Sequence, residues 1–261
     1  MKDNSHLVRL GSKTAKDGFK NEQYVIDEFN NWKNSELSRQ WLLKMEYDLD
    51  QVEYVRAEKI TGSYKADIQV AVRITIKLKS LEDIQNIQVK LVSNPKGFNQ
   101  IDKRWLSKYA ELWDMPDDVL TLFKHFTGEL PPYKSNTRDK RRMFIDEFSE
   151  EERSQIIDFI ITNKTLIVSD ILKGRGKFAA EWMLVILKDG IDSSSILWAL
   201  EPINVVLNTF GNGQVVATSR GSIYIGKITM QRKGGDNGRP SANMLQFKIN
   251  PALLVSESFA K

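Results

Sequence analysis

Ile68-Gln69-Val70-Ala71-Val72-Arg73-Ile74-Thr75-Ile76-Lys77-Leu78, followed after a polar connection from Lys79 to Asp83 by Ile87-Gln88-Val89-Lys90-Leu91, is the stretch on which the fold turns. In the first segment Ile68, Val70, Val72, Ile74, Ile76 and Leu78 alternate with smaller or polar residues, the period-two pattern of a strand with one buried face. In the second, Ile87, Val89 and Leu91 take one face while Gln88 and Lys90 take the other. Together they predict an antiparallel hairpin. Asp67 opens the first strand on its polar parity, and period two sets Gln88 and Lys90 on one face, about 7 Å apart along the strand. Metal-dependent phosphodiester hydrolysis needs such groups: oxygen ligands for Mg²⁺ and a cation beside the charge that develops on phosphorus. In that chemistry Asp67 holds the metal, the Gln88 carbonyl oxygen adds a neutral ligand, and Lys90 positions or activates the attacking water. Gln-x-Lys is short and recurs at Gln246-Phe247-Lys248, but only the first copy follows a strand that begins with a carboxylate.

Outward from the hairpin, Val25, Phe29 and Trp32 recur at helical spacing and predict an amphipathic helix within Gly18–Trp32. A segment with Trp105, Tyr109 and Leu112 predicts a helix, and Pro116 begins another that runs to about Phe126. Pro131-Pro132 and the basic run from Lys134 to Arg142, with Arg138, Lys140 and Arg141, mark the best candidate boundary. The expectation is a nuclease core over residues 1–130 and a DNA-recognition region over residues 131–261, packed closely on it. Ser149 with Glu152 forms a capping box ahead of Ile156, Ile157 and Ile160. Ser222–Gln231 and Asn243–Ile249 predict two strands joined by a loop rich in glycine and charge, Arg232 to Pro240.

A chain of 261 residues, 41% hydrophobic and 10% aromatic, can bury a core, which excludes disorder as its dominant state. It contains no Cys, so disulfides, a thiol nucleophile and thiolate metal sites are excluded, and a reducing cytoplasm is the expected setting. The segment Met1–Leu10 is polar with no apolar run behind it, and no stretch reaches the length of a membrane span. Thirty-eight basic against 34 acidic residues give a net charge of +4, so the placement of charge says more than its sum. His6 and His125 do not form a zinc motif.

Several blocks resemble, in the same order and over nearly the whole chain, the HinP-type type II restriction endonuclease that recognises GCGC. They are Leu10–Glu22, Asn86–Asn94 (NIQVKLVSN), Gly97–Lys103 (GFNQIDK), His125–Tyr133 (HFTGELPPY), Asp139–Phe144 (DKRRMF), Gln231–Arg239 (QRKGGDNGR) and Ala242–Ile249 (ANMLQFKI). The resemblance implies the PD-(D/E)xK nuclease fold, a mixed α/β sheet flanked by helices, with a variant active-site pattern of Ser-Asp followed by Gln-x-Lys. Carried over, Asp67, Gln88 and Lys90 match that pattern, with 20 residues between Asp67 and Gln88. The metal set is then Asp67, Gln88 and the intervening Val89, with Glu22 as an additional active-site acid. Ala66 stands where the family has Ser, and the loop between the strands is slightly longer.

A GCGC site offers guanine O6 and N7 acceptors and cytosine N4 donors in the major groove. The segment Gln231, Arg232, Lys233, Asp236, Asn237 and Arg239 supplies matching groups, and Gly234, Gly235 and Gly238 let the backbone approach the bases. Lys96, Phe98, Asn99 and Gln100 put an aromatic in a polar turn directly after the catalytic strand, suited to wedging between base pairs. Lys13, Lys16 and Lys20 are candidate phosphate contacts. The implied partner is double-stranded DNA, with monomer and homodimer both open. A cognate DNA methyltransferase is expected in the host, not as a bound partner. Two alternatives stay open: a structure-specific repair or junction nuclease on the same fold, and a non-catalytic sequence-specific DNA-binding protein.

Overall fold

A computed structural model describes residues 22–62, 65–76, 79–187, 196–218, 221–235 and 239–258. They form two compact units, each discontinuous in sequence. One holds the described residues up to Gly97, then Lys173–Val206 and the chain from Pro251; the other holds Phe98–Leu172 and Leu207–Asn250. A boundary at residue 130 had put Phe98–Leu130 in the first unit and Lys173–Val206 in the second. The contacts group them the other way, because the strands that complete each sheet come from both halves of the chain.

The first unit is built on a five-stranded mixed sheet ordered β1-β2-β3-β5-β6. Its strands are β1 (Val52–Lys59), β2 (Ile68–Ile76), β3 (Lys79–Val92), β5 (Trp182–Leu187) and β6 (Leu197–Pro202). β2 and β3 pair antiparallel, with Ile68 opposite Ile87, as the alternation predicts. The connection expected at Lys79–Asp83 is itself strand, because backbone pairing continues past the core: Leu81 and Ile84 are exposed there. β3 then pairs parallel with β5, Gln88 opposite Met183 and Lys90 opposite Val185. A parallel pair requires a long crossover, and here the segment that joins β3 to β5 contains Phe98–Leu172 of the other unit. Trp182–Leu187 is an unbroken apolar run, buried on both faces, so period-two reading passes over it.

One face of this sheet packs Ile68, Val70, Ile87, Val89, Leu184, Ile186 and Leu200 against Val25 and Phe29 of helix α1 (residues 22–30) and Trp41 and Leu42 of α2 (Glu36–Lys44). Phe29 and Trp41 lie 5.1 Å apart, tilted, at the centre. Ser35 caps α2 by accepting from the Ser38 N–H. The helix α8 (Ala252–Ser258) also lies against β5 and β6.

The second unit holds an antiparallel sheet ordered β4-β10-β9-β8-β7. The strands are β4 (Asn99–Arg104), β7 (Val215–Ala217), β8 (Ile223–Ile225), β9 (Ile228–Arg232) and β10 (Leu245–Ile249). The single strand expected over Ser222–Gln231 is two, because Gly226 takes a left-handed backbone (φ +57°) and turns the chain. Helices α3 (Leu106–Trp113), α4 (Asp117–Thr127), α5 (Glu150–Thr162) and α6 (Lys164–Leu172) complete it; α7 (Ile203–Gly211) carries one passage between the units. Pro116 is the N-cap of α4, one residue outside the helix it was expected to begin. The Ser149–Glu152 capping box forms as expected. Tyr109 and Trp113 stack at 4.4 Å and meet Phe247 edge-on.

Candidate active site and nucleic-acid interface

Because Ile68 pairs with Ile87 and both point into the core, their neighbours Asp67 and Gln88 point to the other face, with Lys90 two residues on. Asp67 sits just before β2, where its N–H donates to the Ile87 carbonyl (3.0 Å) and its carbonyl accepts from the Ile60 N–H (3.1 Å). Its Oδ2 accepts the Val89 N–H at 2.7 Å and lies 3.7 Å from Lys90 Nζ. Both side chains are largely buried, Lys90 at 15% and Asp67 at 24% exposure, which weakens solvent screening between them. The N–H and C=O of one strand residue point to the same side, so the Val89 carbonyl faces the edge that Asp67 occupies. Gln88 is 2% exposed and its Oε1 has no hydrogen-bond partner. A buried amide oxygen without a donor costs about 1–3 kcal/mol, so it marks a place where an electron-pair acceptor is missing.

Among the expected catalytic residues, then, Asp67, Gln88, Val89 and Lys90 come together. Glu22 pairs instead with Lys59, Oε2 to Nζ at 2.6 Å, with no hydrogen bond or ion pair to those four among the described residues. No cluster of three His, Cys, Asp or Glu side chains occurs among the described residues, so a metal here would rely on one carboxylate, an amide oxygen and a main-chain carbonyl. That all-oxygen set, with one buried oxygen unsatisfied, fits a hard cation such as Mg²⁺, which keeps several waters and takes phosphate oxygens as further ligands. Lys65, which the sequence did not single out, is buried two residues before Asp67. Its stem lies over Gly174, where an added Cβ would come within 2.4 Å of Lys65 Cγ.

The expected DNA-reading residues divide by position. In the first unit Lys96 is exposed in the turn closed by the Gly97 N–H donating to the Asn94 carbonyl (2.8 Å). In the second unit Phe98 is 49% exposed, and Asn99 and Gln100 open β4. Gln100 Oε1 accepts from Nε2 of Gln246 on β10 at 2.5 Å. The second Gln-x-Lys copy therefore belongs to the antiparallel sheet, where Gln246 also faces Gln231. Arg232 is tied down: Nε donates to the Thr127 carbonyl and Nη2 to Asn243 Oδ1, both at 2.7 Å, while Asn243 Nδ2 donates to the Gly128 carbonyl at 2.8 Å. Thus Arg232, Asn243 and the end of α4 form one bracket, which spacing in the sequence does not reveal. The Lys233 N–H donates to the Met244 carbonyl, and Arg239 is exposed at the start of the turn Pro240–Asn243. Lys13, Lys16, Lys20, Asp236 and Asn237 lie outside the described residues.

A mixed α/β sheet thus carries these groups along its β2–β3 hairpin. The crystal structure of restriction endonuclease MspI in complex with its cognate DNA superposes with a TM-score of 0.60 over 87% of each chain at 13% identity, a likeness of fold. The R.HinP1I restriction endonuclease family matches residues 45–255, and the chain belongs to that family. No curated protein matches it. No helix among the described residues is long and apolar enough to cross a membrane.

Proposed function

We propose that this protein is a type II restriction endonuclease that hydrolyses phosphodiester bonds of double-stranded DNA at a short palindrome, GCGC, with Mg²⁺ as cofactor. The observation that carries the active site is the buried, unpartnered Oε1 of Gln88 on the same sheet face as Asp67 and Lys90. In this assignment Asp67, Gln88 Oε1 and the Val89 carbonyl hold the ion. Bound there, Mg²⁺ supplies Lewis-acid stabilisation of the phosphorane and a more acidic water. Asp67 additionally orients the β3 backbone through the Val89 N–H, and Lys90, held near Asp67, presents its ammonium to the phosphate oxygens and the attacking water. Ala66 adjoins Asp67 without offering a hydroxyl, so the charged groups carry the site. Phe98, Asn99 and Gln100, and the segment from Gln231 to Arg239, read and deform the DNA, with Gln246 holding the Gln100 amide in place. A reducing cytoplasm and a cognate methyltransferase in the host complete the reading, since unmodified host DNA would be cut.

Plasmid DNA incubated with and without Mg²⁺ tests it. Discrete fragments ending within GCGC, formed only with the metal, are the expected result. Smearing or cutting confined to junctions would make it a structure-specific nuclease instead, and a gel shift without cutting would make it a binding protein.

A further inference from the structure

The basic run at Arg138–Arg142 has no role in the site described above, yet its arginines are not equivalent. Arg138 is held by Asp146 and Glu147, and Arg141 makes a paired contact with Asp139, Nε and Nη2 each 2.9 Å from a carboxylate oxygen. Arg142 has neither. Its guanidinium lies 4.0 Å above the Phe144 ring and, among the described residues, donates no hydrogen bond. Arg138 rests on the same ring at 4.3 Å. Phe144 in turn packs on Gly221, where an added Cβ would lie 2.1 Å from the ring, so the platform is fixed by the backbone.

Burial holds both Arg142 and Arg232 below the usual arginine range, and like charge adds to it, Arg232 acting on Arg142 and Arg141 on Arg232; Asp139 opposes this at both and Glu147 at Arg142, but Asp139 is already paired with Arg141 and Glu147 with Arg138. Part of the Arg232 guanidinium is spent on Thr127 and Asn243, both neutral. Two partly desolvated cations that make no ion pair of their own among the described residues are costly, and a guanidinium oriented by a ring matches an oxyanion bidentately. A guanine edge would satisfy one arginine but, being neutral, would not offset the charge of two.

We infer that Arg142, stacked on Phe144 beside Arg232, is a phosphate-binding residue that seats one backbone phosphate of the duplex. The inference rests on the DNA-binding reading above. Wild-type protein is therefore first shown to bind duplex DNA with Ca²⁺ in place of Mg²⁺; binding to no duplex would sink that reading rather than this assignment. Arg142→Gln and Arg142→Lys are then titrated with a GCGC duplex and a scrambled one across a salt series. Arg142→Gln is expected to lose about tenfold or more on both duplexes alike, with the salt slope smaller by about 0.9. Arg142→Lys should keep that slope while binding more weakly than wild type, because it retains the charge without the stacked fork. The melting temperature of Arg142→Gln should match or exceed that of wild type, since a partly desolvated cation that makes no ion pair of its own among the described residues is gone. Loss confined to the GCGC duplex would make Arg142 a base reader. Unchanged affinity and slope, or a lowered melting temperature in both variants, would make its role structural; either result overturns the assignment.

Discussion

At the scale of single residues, Asp67 has two duties that substitution can separate. In the proposed site its charge serves the metal, and its Oδ2 accepts the Val89 N–H. Asp67→Asn can keep that acceptor while removing the charge, so it should melt near wild type and bind a GCGC duplex in Ca²⁺. Its single-turnover cleavage should fall by about 10²-fold or more, as should that of Lys90→Ala. Asp67→Ala would in addition orphan a buried N–H, at about 1–3 kcal/mol of stability. The two Gln-x-Lys copies give the matching control. Gln88→Ala should raise the Mg²⁺ concentration needed for half-maximal cleavage, whereas Gln246→Ala, which frees the Gln100 amide, should leave that concentration alone and weaken discrimination of GCGC. A wild-type metal response in Gln88→Ala, or an altered one in Gln246→Ala, would move the metal elsewhere. Alternation alone put Gln88 and Lys90 on one face; both Gln88 and Gln246 hold a buried, unpartnered Oε1, and that the one lies on the face of Asp67 while the other belongs to an amide bonded to Gln100 depends on what packs around each.

At the scale of elements, the segment from Arg138 to Glu147 is organised by carboxylates, so its stability should follow pH. Burial raises the Glu147 carboxyl, but the N–H groups of Phe144 and Arg138 and the Arg138 guanidinium outweigh it and hold the group below the usual range. Its folded pKa thus lies under the unfolded value of about 4.3. The stabilisation is fully present above that value and is lost as pH falls through the folded pKa. Melting temperatures measured from about pH 6 downward should therefore drop more steeply for wild type than for Glu147→Gln below about pH 4; parallel curves would show that Glu147 is not a stabilising acceptor. The elements themselves were legible where a residue's own neighbours decide them. The capping box at Ser149, the β2–β3 alternation and the helices about Tyr109 and Phe123 all depend on spacing of a few residues. β5 and the break at Gly226 were not: one is apolar on both faces, and the other is a single glycine within a strand-like run.

At the scale of the whole molecule, the interleaving of the two units predicts that the chain does not divide at Pro131-Pro132. A fragment of residues 1–130 lacks β5, the parallel partner of β3, and β10, the partner of β4. It would leave Ile87, Val89 and Ile101, buried in the full chain, without the strands that cover their neighbours. It should show no cooperative thermal transition, alone or mixed with residues 131–261. A sharp transition in calorimetry from the fragment alone would mean that the amino-terminal half holds its own core.

The sequence by itself determined the hairpin, the face on which Asp67, Gln88 and Lys90 stand, several helices and, through its resemblance, the nuclease family. These follow from periodicity and motif, which act over a few residues or are copied as blocks. Only the tertiary structure decided that β3 lies parallel to β5 across a segment that contains much of the other unit, that Glu22 pairs with Lys59, that Arg232 braces the end of α4, and that Arg142 stacks on Phe144 with no ion pair of its own among the described residues. Each of these joins residues whose proximity is set by how strands and helices pack. A side chain carries its charge and hydrogen-bonding capacity in the sequence, but which partners satisfy them is a property of the folded chain.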